Sequence, residues 1–174
     1  MILLINICKE KLHFYEFVKP VEDILKKGNV KYFIKNYREV TKKDLERADK
    51  IIICGTSLKD NDFLENLESF SWLKDFDKPV LGICGGMHII GLVFGGKLMK
   101  RKEIGLKEID FEKTFLGVKG KREVYYIHEY YVKSQEFESF ADGNAVNHKN
   151  KNVYGVVFHP EVRNRELIET FVTA

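Results

Sequence analysis

The chain opens with an apolar run, Ile2–Ile7, interrupted only by Asn6, and three more follow at Val30–Ile34, with Lys31 inside it, Ile51–Cys54 and Val80–Ile83. Runs this short and this rich in Ile and Val read as strands buried on both faces, the habit of a parallel sheet. Between them the apolar positions switch to helical period. Phe14, Phe17, Val18, Val21, Ile24 and Leu25 mark one face of a helix over Phe14–Lys27, which Gly28 closes. Phe63, Leu64, Leu67 and Phe70 repeat the pattern over Asn61–Leu73, and Lys78-Pro79 stops it. Alternating strands and helices predict an α/β fold: an open, mostly parallel sheet flanked by helices.

After Gly95-Gly96 the texture changes. Short alternating segments at Glu103–Phe111, Thr114–Val118 and Glu123–His128, separated by glycines and charged turns, predict a small antiparallel β excursion in the second half. Asp142-Gly143-Asn144 is a turn signal, Val153–Phe158 returns as a buried strand, and Arg163–Val172 reads as a closing helix. No repeat, low-complexity tract or linker interrupts this order, so residues 1–174 read as a single domain. A hydrophobic share of 44% over 174 residues gives it the apolar mass for one core.

Charge narrows the partners. The 29 basic and 26 acidic residues are interspersed and leave a net charge of +3, too balanced for nucleic acid or an anionic membrane. The basic runs Lys97–Lys102 and Lys119–Arg122 lack interleaved aromatics and read as solvated faces. The apolar start is too short for a signal peptide, and no run approaches the roughly eighteen residues of a membrane span. Cys8, Cys54 and Cys84 are odd in number and share no metal-ligand spacing. Free thiols in a reducing cytoplasm, with no metal and no cofactor, is the expectation.

The candidate chemistry lies in Val80-Leu81-Gly82-Ile83-Cys84-Gly85-Gly86-Met87-His88-Ile89-Ile90 and, some seventy residues later, in Phe158-His159-Pro160-Glu161. The first reads as a buried strand, a tight turn with Cys84 at its apex, and a helix. That junction is where open α/β sheets place ligands. Amides opening the helix, Gly85 first, favour a thiolate and can hold an oxyanion. His159 and Glu161, at i and i+2, supply a base and the carboxylate that orients it. Together they predict acyl transfer. A lone cysteine in such a turn is ordinary packing, and H-P-E alone is a common turn; their conjunction at strand ends makes a site. Cys8 and Cys54 have no such partners and read as structural. His13 and His148 have none either, and neither is assigned a function.

These residues carry a resemblance. G-I-C-G-G-M-H-I-I-G-L-V-F-G-G-K-L followed by Y-G-V-V-F-H-P-E-V resembles the class I (triad) glutamine amidotransferases, most of all their GMP synthase branch. Ile51–Gly55, Phe94-Gly95-Gly96-Lys97 and Glu103-Ile104-Gly105 add supporting texture across the chain. The resemblance implies that Cys84 attacks the glutamine side-chain amide, that His159 and Glu161 complete the triad, and that ammonia passes to a separate ATP-dependent synthase. It also implies an oxyanion loop at Cys54-Gly55-Thr56-Ser57, where the branch has S-G-G-P, so Gly55, Thr56 and Gly85 are the candidate oxyanion donors. Three segments depart from the family. His88 replaces a substrate-holding glutamine, Thr56 brings a Cβ that narrows the loop's conformations, and Tyr126–Tyr131 keeps only His128 of an S-H-x-D segment. His88 and His128 are the candidate substrate-binding residues. Three readings stay open: the glutaminase component of a synthase, a γ-glutamyl hydrolase with the same triad, and a non-catalytic regulatory homologue.

Overall fold

The apolar runs align side by side, the three with no polar face inside and the half-buried one at Tyr32–Asn36 on the sheet edge. The computed structural model describes residues 1–174. Strands β1 (Ile2–Asn6), β2 (Tyr32–Asn36), β3 (Lys50–Ile53), β4 (Val80–Ile83) and β9 (Val153–Val156) run parallel, in the order β2-β1-β3-β4-β9. Beyond β9 the sheet finishes antiparallel with β8 (Ala145–His148) and β7 (Phe137–Phe140), joined by the Asp142-Gly143-Asn144 turn. The inner strands β1, β3, β4 and β9 carry most of the sheet's fully buried side chains, and one contiguous apolar core runs through them.

Helix α1 (Lys11–His13) continues through one π-helical turn (Phe14–Val18) into α2 (Lys19–Lys27), so the amphipathic stretch over Phe14–Lys27 is present and starts three residues early. Gly28 caps α2, and the Val30 N–H closes it on the Leu25 carbonyl at 2.9 Å. That amide is spent on the helix, so β2 begins at Tyr32 instead of Val30. A capping box between Thr41 and Asp44 opens α3 (Lys42–Arg47).

The stretch expected as an α-helix over Asn61–Leu73 forms a 3-10 segment, Asp62–Lys74, with a non-helical residue at Asn66. Asn66 Nδ2 donates to the Asp62 carbonyl at 2.8 Å, taking the acceptor an α-helix would give to the Asn66 backbone. Phe63, Phe70 and Leu73 are still buried. The three short strands expected after Gly96 are two long ones, β5 (Lys97–Phe115) and β6 (Val118–Lys133), paired as an antiparallel ribbon. Thr114–Val118 is its hairpin: Leu116 and Gly117 both sit in the left-handed region (φ 43° and 80°), the two-residue turn that matches strand twist. The expected closing helix over Arg163–Val172 is present as α6 (Arg165–Thr173), preceded by a short α5 (Pro160–Arg163); Asn164 between them donates its amide to the Glu123 carbonyl.

Helix α4 (Gly85–Val93) lies on β3, β4 and β9, with the 3-10 segment beside it, whereas α2, α5 and α6 pack together. The approach of α4 to the sheet is closer than any side chain allows. A Cβ on Gly86 would lie 2.3 Å from the Ile53 carbonyl oxygen, and one on Gly82 would lie 2.5 Å from Gly86. Both obstacles are backbone and cannot swing aside. Gly86→Ala is therefore expected to cost about 1–3 kcal/mol, a fall of roughly 2–12 °C in melting temperature for a chain of this size. An unchanged melting temperature would show that α4 is free to ride up off β3.

Candidate active site

Cys84 is the single residue between β4 and α4, and the chain reverses there in one step. Its N–H completes the sheet on the Val156 carbonyl at 2.7 Å, while its own carbonyl accepts the first helical bond, from His88 N–H at 3.1 Å. Meeting both demands drives Cys84 to φ 49°, ψ −103°. For a residue with a Cβ that conformation is strained by about 1–3 kcal/mol, which the two flanking elements hold in place. The thiol lies 3.6 Å from the Ile127 carbonyl on β6.

His159 follows β9 and is 1% exposed. Its N–H donates to the Tyr125 carbonyl at 2.9 Å, and its ring lies 5.3 Å from that of Phe17. Pro160 opens α5 and carries Glu161 round beside the ring, where His159 Nδ1 meets Glu161 Oε1 at 2.7 Å. The other ring nitrogen, Nε2, is buried with no hydrogen-bond partner. Gly55 brings the two reactive side chains together: a Cβ on it would lie 2.8 Å from His159 Cε1 and 3.3 Å from Cys84 Cβ. Burial would push the His159 pKa down, but the Glu161 carboxylate and then the Cys84 thiol outweigh it. The imidazolium is held well above its usual range.

The expected oxyanion donors all lie around Cys84. Gly55 and Thr56 follow β3, and neither amide takes part in the backbone hydrogen bonding of the fold. Gly85 is the first residue of α4, at the positive end of its dipole. Next to Cys84 a narrow cleft, with only ≈ 20 Å³ of open space, is lined by Thr56, Gly85, His88, His128, Glu129 and Tyr130, among others. A larger hollow of ≈ 580 Å³ runs along Glu108–Lys113 and Ser139–Asn144, but it contains no nucleophile beside a base. No group of three or more His, Cys, Asp or Glu side chains is arranged to hold a metal ion. No helix is long and apolar enough to cross a membrane.

Both expected substrate-binding histidines reach this cleft, and both hang from one backbone oxygen. His88 Nε2 and His128 Nδ1 each lie 2.8 Å from the Tyr130 carbonyl, an acceptor only, so each nitrogen carries the proton. His128 Nε2 faces Glu103 Oε1 at 3.2 Å, and Glu103 is neutralised by Arg101 and Lys107. Burial lowers the pKa of His128. Burial likewise takes His88 down to about 4, so at neutral pH His88 is uncharged and its one N–H is committed to Tyr130.

Two contributors carry no signature in the sequence. The first is the carbonyl edge of β6, where Tyr125, Ile127 and Tyr130 hold His159, Cys84 and the two cleft histidines. Every residue has a carbonyl, so only strand placement reveals it. The second is Asp60, whose buried carboxylate meets His13 at 3.0 Å. His13, read from the sequence as lacking a partner, has one. Asp60 is 47 residues from His13, and only the fold brings them together. Cys8 and Cys54 are buried, and burial pushes Cys8 up to about 11 and Cys54 well above its ordinary value.

Comparison with known proteins gives the family and the fold. The family model described as glutamine amidotransferase class-I matches residues 13–172. A glutamine-hydrolyzing GMP synthase subunit from Methanobrevibacter smithii is 35% identical over 106 residues, covering 54% of this chain and 56% of that protein. The match thus spans little more than half of that relative. Imidazole glycerol phosphate synthase subunit HisH from Pyrococcus furiosus is 28% identical over 170 residues, 77% of this chain and 84% of that one. Among solved structures, a GMP synthase subunit from Thermoplasma acidophilum superposes with a TM-score of 0.85 at 22% identity, covering 99% of this chain and 92% of that one. It shares the fold.

The low pKa of His88 gives a signed expectation for stability. Between pH 6.5 and about 4 the unfolded chain binds a proton at this residue that the folded chain refuses. Stability from this group is therefore complete above pH 6.5 and lost on acidification toward 4, by up to about 3 kcal/mol. Urea melts of wild type and His88→Gln across that range should show a shallower acid loss in the variant. Parallel curves would mean that His88 is protonated in the folded chain.

Proposed function

The chain belongs to the class-I glutamine amidotransferases, and from that premise we propose that it is the glutaminase component of a synthase, working as one domain over residues 1–174. Cys84 is the nucleophile, His159 the general base and acid, and Glu161 the group that orients and charges the imidazole. The Cys84 sulfur adds to the side-chain amide carbonyl of glutamine. Its proton is already held on His159 Nε2, as the raised imidazolium pKa requires, and the oxyanion is met by amides of Gly55, Thr56 and Gly85. Collapse breaks the C–N bond. His159 returns the proton to the departing nitrogen, so ammonia leaves and a γ-glutamyl thioester remains. Water, deprotonated by His159, then releases glutamate and restores the thiol.

The observation that carries this reading is the unpartnered, buried His159 Nε2 beside a strained Cys84, with Nδ1 anchored on Glu161 at 2.7 Å. A base poised in this way has its outer nitrogen free for a thiol proton. His88 and His128 line the substrate cleft. The released ammonia goes to a separate ATP-dependent synthase of the GMP synthase type, the enzyme for which several of the relatives are named. One observation favours a second substrate class for the same triad, a γ-glutamyl peptide or conjugate. His88 stands where the family has a glutamine, and its only donor is taken by Tyr130.

Two measurements test the proposal. Incubation with a glutamine-mimicking electrophile, read by intact mass and peptide mapping, should give one adduct on Cys84 that glutamine protects and Cys84→Ala abolishes. Cys8 and Cys54 stay unlabelled because burial holds both as thiols. Equal labelling of all three cysteines sinks the triad, whereas no adduct while a small neutral alkylator still singles out Cys84 overturns glutamine as the substrate and leaves the second class. Glu161→Gln should lower glutamine hydrolysis by about 10²–10⁴-fold. The alkaline limb of its kcat/KM profile, set by loss of the imidazolium proton, should move to lower pH, because Glu161 is the main group raising the His159 pKa. An unmoved limb would assign it to another group.

A further inference from the structure

The loop after β3 is held by a carboxylate that the triad does not use. The Asp60 side chain is only 2% exposed, and its Oδ2 accepts three hydrogen bonds. They come from the Lys9 N–H at 2.8 Å, the Thr56 hydroxyl at 2.9 Å and His13 Nδ1 at 3.0 Å. Its own N–H closes the loop on the Ser57 carbonyl at 3.1 Å. Oδ1 is buried without a partner. Burying a carboxylate is costly unless hydrogen-bond donors offset the lost hydration, and here three do. The three donors belong to the end of β1, the end of β3 and α1, and one of them is the residue next to Gly55.

The Gly55–Thr56 peptide is gripped at both ends. The Gly55 carbonyl accepts from the Cys8 thiol at 3.7 Å, and the Thr56 side chain is tied to Asp60. In a trans peptide the N–H points opposite to the C=O. With the carbonyl turned to Cys8, the Thr56 N–H is turned away from it and engages no other group of the fold. Gly55 itself abuts Cys84 and His159. A threonine could take several conformations in this loop; Asp60 selects one.

We infer that Asp60, steadied by His13, is a positioning residue that fixes the Gly55–Thr56 peptide so that the Thr56 N–H meets the oxyanion formed at Cys84. This rests on the glutaminase reading given above. Asp60 touches neither substrate nor thiol; it acts through Thr56. Its loss removes transition-state stabilisation while leaving the Cys84–His159 pair in place.

The test uses the full chain as wild type, Asp60→Ala, His13→Ala and His13→Asn, the last keeping a donor near Nδ1. Three readouts are compared: kcat and KM for glutamine hydrolysis, affinity for a glutamate-derived γ-aldehyde, and the rate at which iodoacetamide alkylates Cys84. The aldehyde adds the thiol to its carbonyl and places the resulting oxygen in the oxyanion position, whereas iodoacetamide needs no such site. Asp60→Ala should lose about 10²-fold in kcat and a similar factor in aldehyde affinity, with KM within about threefold and alkylation within about twofold of wild type. His13→Ala should lose less, and His13→Asn should recover most of that loss. His13 is partly exposed, so its variants keep the test open if Asp60→Ala fails to fold. A wild-type enzyme that hydrolyses glutamine while all three variants match it overturns the clamp alone. A loss in KM, or one matched by slower alkylation, also overturns it, because the effect is then general. A wild-type chain reactive toward neither glutamine nor the aldehyde, with Cys84 no more reactive than Cys8, overturns the glutaminase reading and this inference with it.

Discussion

One residue in the left-handed region joins β4 to α4, and much of the molecule is arranged around keeping it there. Cys84 must finish a sheet bond on Val156 and start a helix on His88 within a single residue. The helix can begin so abruptly only if it lies almost on the sheet backbone, which is why Gly82 and Gly86 leave no space for a side chain. Seating α4 there puts its N-terminus at the carboxyl ends of the parallel strands. Gly55 arrives at the same place from β3, and His159 just beyond β9. The strain at the thiol and the close packing beneath it are two sides of one constraint.

The electrostatics show how position alone gives one residue type different states. His159, His88 and His128 are all buried, and burial alone lowers the pKa of each. His159 escapes because a carboxylate sits 2.7 Å from its inner nitrogen and a thiol lies on the other side. His88 has only a carbonyl as partner, which fixes a tautomer without holding a charge. One imidazole is thus set up to move a proton. Another is set up as a neutral wall with a fixed donor.

Much of this was legible in the sequence wherever a residue type and its spacing determine the structure. The parallel strands, the elbow at Cys84 and the H-P-E turn are such cases, because each needs particular side chains at particular intervals. The 3-10 geometry of Asp62–Lys74 was hidden because its apolar spacing suits an α-helix equally well; the side chain of Asn66 decides the matter. The β5–β6 ribbon was misread as three short strands because much of its length is only partly buried on either face, so alternation is weak and the left-handed pair Leu116-Gly117 passes for strand. The Asp60–His13 pair was illegible, since nothing in either residue's neighbourhood along the chain points to the other.

The wall that β6 presents to the site is made of main-chain oxygen. A point mutation can remove a side chain, but it cannot remove a carbonyl, and only a change of strand register would move Tyr125, Ile127 and Tyr130 out of line with His159, Cys84 and His88. The main-chain part of the ribbon's contribution therefore survives drift in sequence along Tyr126–Tyr131, unlike the ring that His128 supplies to the cleft. Similarity between distant relatives should fade first in this segment, and its fading says little about whether the site survives. Register, preserved by the long pairing with β5, is what inheritance has to keep.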